Sequence, residues 1–164
     1  MKSNKKQIEQ KLIPVVSLPD VESGIRLAKI LVRYKMEAVE ITFRTAHAAE
    51  GIAAIKKQFA ELKVFAGTVF TANQVEAAQN AGAQTIVSPG FDPALLVHCQ
   101  TLGIPVIPGV CTPSEIQVAL SMGITRLKFF PAELYGGPKM VKMMLDVYPD
   151  VSMMPTGGIT LDNL

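Results

Sequence analysis

Short β-branched or apolar runs alternate along the chain with amphipathic stretches. The runs predict strands at 12–17, 38–43, 63–67, 85–87, 105–107, 126–130 and 152–154. Their centres recur every 20 to 26 residues, about the length of one βα unit. Between the first two runs, Val21, Ile25, Leu27, Ala28 and Leu31 form a helical stripe. Thr112-Pro113-Ser114-Glu115 and Thr71-Ala72-Asn73-Gln74 read as capping boxes, and Asp92-Pro93 as a cap followed by proline. Gly82, Gly103 and Gly123 fall between a helix and the next strand, where C-capping explains them without a ligand.

Seven such units in alternation mean an α/β fold with a mostly parallel sheet. A doubly wound open sheet would want a glycine fingerprint after its first strand, but Ser17-Leu18-Pro19-Asp20 follows instead. A (β/α)8 TIM barrel places polar residues at the C-terminal ends of several strands, and this sequence does so. In the second run Glu40, Thr42 and Arg44 alternate with Val39, Ile41 and Phe43. Period two puts the polar set on one face, either a barrel lumen or the wet face of an edge strand.

The sixth run, Arg126-Leu127-Lys128-Phe129-Phe130, carries a lysine inside a strand, with Lys128 and Phe130 on one face. A lysine there is paired in a structural ion pair, snorkels to a rim, or is a neutral nucleophile toward carbonyls. Glu40, facing the same lumen, is a candidate proton shuttle. Thr68, Ser88, Gly109 and Gly157-Gly158 end other runs. A glycine pair after a late strand is either a plain turn or a backbone cradle for an anion.

Composition narrows the classes. The 164 residues are 49% hydrophobic and 18% charged, enough for one domain with a core and unlike a disordered chain. Sixteen basic residues against 14 acidic give a net charge of +2, too balanced for a protein that chiefly neutralises nucleic-acid phosphates. No apolar run reaches the roughly 18 residues of a membrane helix. The basic N-terminus, Met1-Lys2-Ser3-Asn4-Lys5-Lys6-Gln7, has no apolar signal core after it. Cys99 and Cys111 form no CxxC, which sets a reducing, cytoplasmic location as the expectation. His47, His98 and the two cysteines read as surface or packing residues, Glu133 as part of the next helix start, and Met140, Met143 and Met144 as helical core or interface.

Six ordered motifs now stand together: Val39-Glu40-Ile41-Thr42-Phe43-Arg44-Thr45, Ala66-Gly67-Thr68-Val69, Ile86-Val87-Ser88-Pro89-Gly90, Ile107-Pro108-Gly109-Val110, Lys128-Phe129-Phe130-Pro131-Ala132-Glu133 and Pro155-Thr156-Gly157-Gly158-Ile159. From about Leu12 onward the chain closely resembles the 2-keto-3-deoxy-6-phosphogluconate and 4-hydroxy-2-oxoglutarate aldolases, a class I family that includes the phosphogalactonate aldolase. The resemblance implies a retro-aldol lyase of the Entner–Doudoroff pathway, acting on a keto-acid sugar phosphate and yielding pyruvate. It implies that Lys128 forms the Schiff base, Glu40 is the general acid/base, and Arg44 and Thr68 hold the pyruvate carboxylate. Phe130 would contact the methyl group and exclude water, and Gly157 and Gly158 would receive the phosphate. No cofactor, metal, nucleic acid or membrane partner is implied, and a homotrimer is. The runner-up readings are the same chemistry on 4-hydroxy-2-oxoglutarate or the phosphogalactonate. From other classes come a non-catalytic sugar-phosphate binding module, which predicts loss of Lys128 or Glu40, and a phosphate-binding isomerase.

The expected domain is a single (β/α) barrel over 1–164, with 1–11 as a leading helix covering its bottom. Two departures from the family stand out. The sequence given stops at Thr160-Leu161-Asp162-Asn163-Leu164, so the eighth strand and helix of the TIM barrel are expected to be lacking and the isolated chain to be unstable. Arg33-Tyr34-Lys35-Met36-Glu37 replaces small, glycine-rich residues, so a changed helix–strand connection is expected there.

Overall fold

The computed structural model describes residues 12–164; the expected leading helix at 1–11 lies outside them. Strands and helices alternate as β1 (Val15–Val16), α1 (Val21–Arg33), β2 (Ala38–Thr42), α2 (Ala48–Gln58), β3 (Lys63–Gly67), α3 (Ala72–Asn80), β4 (Thr85–Val87), α4 (Pro93–Thr101), β5 (Val106–Ile107), β6 (Gly109–Val110), α5 (Pro113–Ser121), β7 (Arg126–Phe129), α6 (Gly137–Val147) and β8 (Ser152–Pro155), with a 3-10 turn at Glu133–Tyr135. The chain divides into two compact units. One runs to Gly67 and includes Glu76–Gln84; the other holds Thr68–Val75 and Thr85–Leu164.

In the first unit β1, β2 and β3 run parallel. β2 pairs with β1 through Val15↔Glu40 and Val16↔Ile41, and with β3 from Ala38↔Lys63 to Thr42↔Gly67. All five residues of β2 are buried. It is therefore an interior strand, and the wet-edge alternative is excluded. β1 is shorter than the predicted 12–17 because only Val15 and Val16 pair in register with β2. Leu18 fills the space between α1 and α2. A Cβ on Gly24 of α1 would stand 3.0 Å from Leu18 Cδ1, and a Cβ on Gly51 of α2 would overlap the same atom. Glycine at both places lets the two helices close over one leucine. Ala28, Leu31, Val39, Ile41, Ile52, Ile55, Leu62 and Val64 complete this core.

In the second unit β4 pairs with β5, and β7 pairs with β6 on one side and β8 on the other, all parallel. The predicted strand 105–107 continues through Pro108 to Val110. Its carbonyls alternate between neighbours. Pro105 O and Ile107 O accept from Ile86 and Ser88, while Pro108 O and Val110 O accept from Lys128 and Phe130. A proline fits inside this strand because its carbonyl, not the missing N–H, makes the bond to β7. Leu96, Val110, Ile116, Ala119, Ile124, Leu127, Met144 and Val151 form the core. Met140 packs against it, whereas Met143 is exposed.

The predicted caps at Thr71, Asp92 and Thr112 form. A further cap, which the sequence pattern did not single out, is Asp20 on α1, accepting from Ser23 N at 2.6 Å. The Thr112–Glu115 box is closed in both directions. Glu115 Oε2 accepts from the backbone of both Cys111 and Thr112 at 2.9 Å. Desolvation alone would raise the Glu115 carboxyl, but these bonds outweigh it and hold the group below its usual range.

Four helix ends share one geometry. Gly82, Gly103 and Gly123 are left-handed (φ +92°, +67° and +73°), and the residue after each donates back five positions, to Ala78, Cys99 and Ala119. After α1 the same Schellman motif forms with Lys35 in the glycine place. Its φ is +57°, Lys35 N donates to Val32 O, and Met36 N donates to Leu31 O. Lys35 thus takes, after α1, the place that glycine holds at the other three helix ends. A lysine in that conformation costs about 1 kcal/mol that glycine does not incur. Lys35→Gly is expected to stabilise the protein by about 0.5–1 kcal/mol, and Gly123→Ala, whose Cβ would meet no atom within 4 Å, to destabilise it by about 1 kcal/mol. Urea unfolding of the two variants checks both signs.

Candidate active site

β2 carries Glu40 and Thr42, both buried. Glu40 projects over the last residue of β3. A Cβ on Gly67 would overlap Glu40 Oε1 and stand 2.6 Å from its Cγ, so glycine at this point is what leaves room for the carboxylate. Thr42 Oγ1 lies 2.6 Å from Ser17 Oγ, tying the end of β2 to the segment after β1. Arg44 departs from the predicted alternation. The strand ends at Thr42, and Arg44 sits exposed in the turn that follows. Strand pairing persists only one residue further, through Phe43 N to Gly67 O at 2.7 Å. Thr45 fixes that turn by donating to Leu18 O at 2.9 Å. His47 is the N-cap residue of α2, makes no side-chain capping bond there, and is exposed, in keeping with a surface role.

In the second unit Lys128 occupies β7 between Gly109 of β6 and Met154 of β8. It is 4% exposed, which excludes a side chain that snorkels to water. Its Nζ stands 5.3 Å from the centroid of the Phe130 ring, a cation–π distance for a charged amine and a close apolar wall for a neutral one. A Cβ on Gly109 would overlap the Pro89 carbonyl, so the strand beside the lysine has no space for a side chain there. Gly157, left-handed at φ +98°, lies flat under Phe130: a Cβ would stand 3.3 Å from the ring. Lys128, Phe130 and Gly157 are therefore neighbours around one aromatic ring, with Gly158 (φ +77°) next in the chain.

Thr68 follows β3 with φ +57°, a conformation that β-branched residues rarely adopt. Strain of this kind gathers at ligand sites. Ser88 is buried and donates to Gly90 O at 2.8 Å. It lines a cleft of about 220 Å³ with Phe70, Pro89, Gly90, Phe91, Asp92 and Leu95.

Sequence reasoning missed the space provided by Gly67 and the bond from Ser17 to Thr42. The first had a visible signal, a glycine at a strand end directly before Thr68. Ser17 had none. No group of three potential metal ligands occurs among the described residues, and no helix there is long and apolar enough to cross a membrane. Cys111 shows no sign of an activated thiol: desolvation and the neighbouring Glu115 carboxylate raise it above its ordinary value.

In each unit polar groups lie on or just after parallel strands that alternate with helices, the pattern of the α/β barrel enzyme class. The profile described as "Aldolase: KDPG and KHG aldolase" matches residues 4–164. The chain belongs to this family. A 2-dehydro-3-deoxy-phosphogluconate aldolase of Treponema pallidum is 48% identical over 154 residues, covering 94% of this chain and 73% of that protein. The crystal structure of a KDPG aldolase of Legionella pneumophila, with pyruvate captured as a covalent carbinolamine intermediate, aligns at a TM-score of 0.91 with 36% identity, over 95% of this chain and 76% of that one. The KDPG aldolase of Zymomonas mobilis with 3-phosphoglycerate aligns at 0.86 with 36% identity, over 90% and 70%. The α/β fold with its parallel strands is that of these TIM-barrel-like enzymes.

Burial pushes the Cys99 thiol up to about 11 from 9.0. A thiol kept neutral by the fold adds stability that is fully present below the unfolded value of 9.0 and is lost as pH rises toward 11. The stability difference between wild type and Cys99→Ala is therefore expected to shrink from pH 8 to pH 11, as measured by urea unfolding across that range.

Proposed function

We propose that this chain is a class I aldolase that cleaves 2-keto-3-deoxy-6-phosphogluconate to pyruvate and glyceraldehyde 3-phosphate through a Schiff base on Lys128. One observation carries the assignment of the nucleophile. Lys128 is buried in the middle of a parallel strand, against an aromatic ring, in a member of a family in which pyruvate has been captured covalently. A structural ion pair does not require the aromatic wall, and a buried amine beside apolar surface suits attack on a carbonyl.

The neutral Nζ adds to the C2 ketone and gives a carbinolamine, which loses water to form a protonated imine. The imine draws electrons from the C3–C4 bond as a base takes the proton of the C4 hydroxyl. The aldehyde leaves and an enamine of pyruvate remains on the lysine. Protonation at C3 and hydrolysis, which returns the water lost earlier, release pyruvate and free Lys128. Glu40 is the acid/base of these transfers, acting partly through water; its carboxylate has a place in the strand because Gly67 leaves one. Arg44 and Thr68 hold the substrate carboxylate. The exposed guanidinium supplies a forked donor, and the left-handed backbone of Thr68 is strain of the kind that gathers at ligand sites. Phe130 walls off water beside the imine. Gly157 and Gly158 take the distal phosphate on their backbone amides.

The reading takes residues 1–164 as one catalytic domain, needs no metal or cofactor, and places the enzyme in the cytoplasm in the Entner–Doudoroff pathway. It includes assembly as a homotrimer, for which exposed Phe70, Leu134 and Tyr135 are apolar groups suited to a subunit interface. The same mechanism extends to 4-hydroxy-2-oxoglutarate and to the phosphogalactonate epimer, which share the reacting C2–C4 segment.

Incubation with pyruvate and borohydride is expected to leave a reduced adduct on Lys128, located by peptide mass, and none in Lys128→Ala. A folded protein that forms no adduct would make the chain a binding module instead. Glu40→Gln is expected to lower kcat by about 10²-fold or more, and Arg44→Ala to raise KM for pyruvate in the exchange reaction about tenfold. Light scattering is expected to find three chains per particle.

A further inference from the structure

The loop after β8 is held from one side by a pair of residues that the mechanism above leaves unused. Glu133 N donates to Gly157 O at 3.1 Å. The Glu133 Cβ lies directly against Gly158, 2.5 Å from where a Cβ of that residue would be. Its carboxylate Oε2 accepts from Asn163 Nδ2 at 2.9 Å, and the same amide nitrogen donates to Gly158 O at 2.9 Å. Asn163 Oδ1 in turn accepts from Thr160 N at 2.7 Å. Asn163 thus closes the segment 157–163 on itself and pins it to the turn that follows the lysine strand. A second bond in the same direction, Ala132 N to Thr156 O at 2.8 Å, anchors the start of the loop.

These bonds fix the direction of the backbone amides. In a trans peptide the carbonyl and the following N–H point opposite ways. With Thr156 O turned to Ala132, Gly157 O to Glu133 and Gly158 O to Asn163, the N–H groups of Gly157, Gly158 and Ile159 are turned to the other side of the loop. The positive φ of both glycines permits three successive amides to be aimed that way.

We infer that Asn163 and Glu133 are positioning residues for phosphate recognition, holding the Gly157-Gly158 loop so that its amides face the phosphate of the substrate. The inference rests on the assignment of that loop to the phosphate. Glu133 acts through its acceptor oxygen and its backbone. Its negative charge is not required, and near an anion it is a disadvantage.

The test compares 2-keto-3-deoxy-6-phosphogluconate with its dephosphorylated analogue on wild type, Asn163→Ala, Glu133→Ala and Glu133→Gln. Asn163→Ala and Glu133→Ala are expected to raise KM for the phosphorylated substrate about tenfold, with kcat within about twofold and kcat/KM for the analogue unchanged. Glu133→Gln, whose amide oxygen still accepts from Asn163, is expected to keep the wild-type KM or lower it. Equal losses on both substrates, or an unchanged KM for the phosphorylated one, would overturn the inference. If Asn163→Ala does not fold, the contrast between Glu133→Ala and Glu133→Gln decides alone. A wild type that cleaves both substrates equally well would show that the loop reads no phosphate. That outcome removes the phosphate assignment, and this inference with it, while leaving the Lys128 chemistry standing.

Discussion

An ionisable side chain placed inside a parallel strand must be given space, neighbours and a dry wall, and the arrangement of this chain follows from that demand. Glu40 is wholly buried in β2, a strand paired along both edges. It fits because the residue opposite its carboxylate is Gly67. Lys128 is buried in β7, also paired on both edges, with Gly109 on one side and the Phe130 ring above its amine. In the first unit Gly67 makes room for the Glu40 carboxylate itself, and in the second Gly109, the register partner of Lys128, makes room for the Pro89 carbonyl beside the lysine strand. Such glycines weaken a sheet, and their presence marks where the fold gives up stability for chemistry.

The same division of labour appears at the helix ends. Gly82, Gly103 and Gly123 serve only the turn, as their left-handed φ values require. Lys35 adopts the same turn without being glycine, so the motif is imposed by the surrounding helix and strand and is stronger than the local preference of one residue.

Most of the strand and helix order was legible because each signal is local. Period-two runs, capping boxes and C-terminal glycines each span a few residues, and those at Thr112–Glu115, Thr71–Gln74 and Asp92 form as the pattern demands. Three features were not legible, for physical reasons. Arg44 continues the polar alternation of β2 in the sequence, yet the strand stops at Thr42 because the backbone turns where Thr45 binds Leu18 O. The predicted run ends at 107, before Pro108, since a proline has no N–H to pair; here its carbonyl carries the bond and the strand goes on to Val110. Asn163 drew no reading from the sequence, because its bonds are set by Glu133 and Gly158, 30 and five positions away. Periodicity has no access to such contacts. The resemblance to a family supplied what local pattern does not, namely which of several buried or rim polar residues belong to one reaction.

The continuous strand from Pro105 to Val110 has a consequence for how the protein breathes. The Lys128 amide proton is shared with Pro108 O at 2.8 Å and the Phe130 amide with Val110 O. Their exchange with solvent deuterium requires β7 to part from this strand. Pro108, which accepts the Lys128 bond, has no amide proton of its own, so that bond is reported by the lysine amide. A slowly exchanging Lys128 amide therefore means that the nucleophile is carried on a part of the sheet that stays shut while the loops beyond it move.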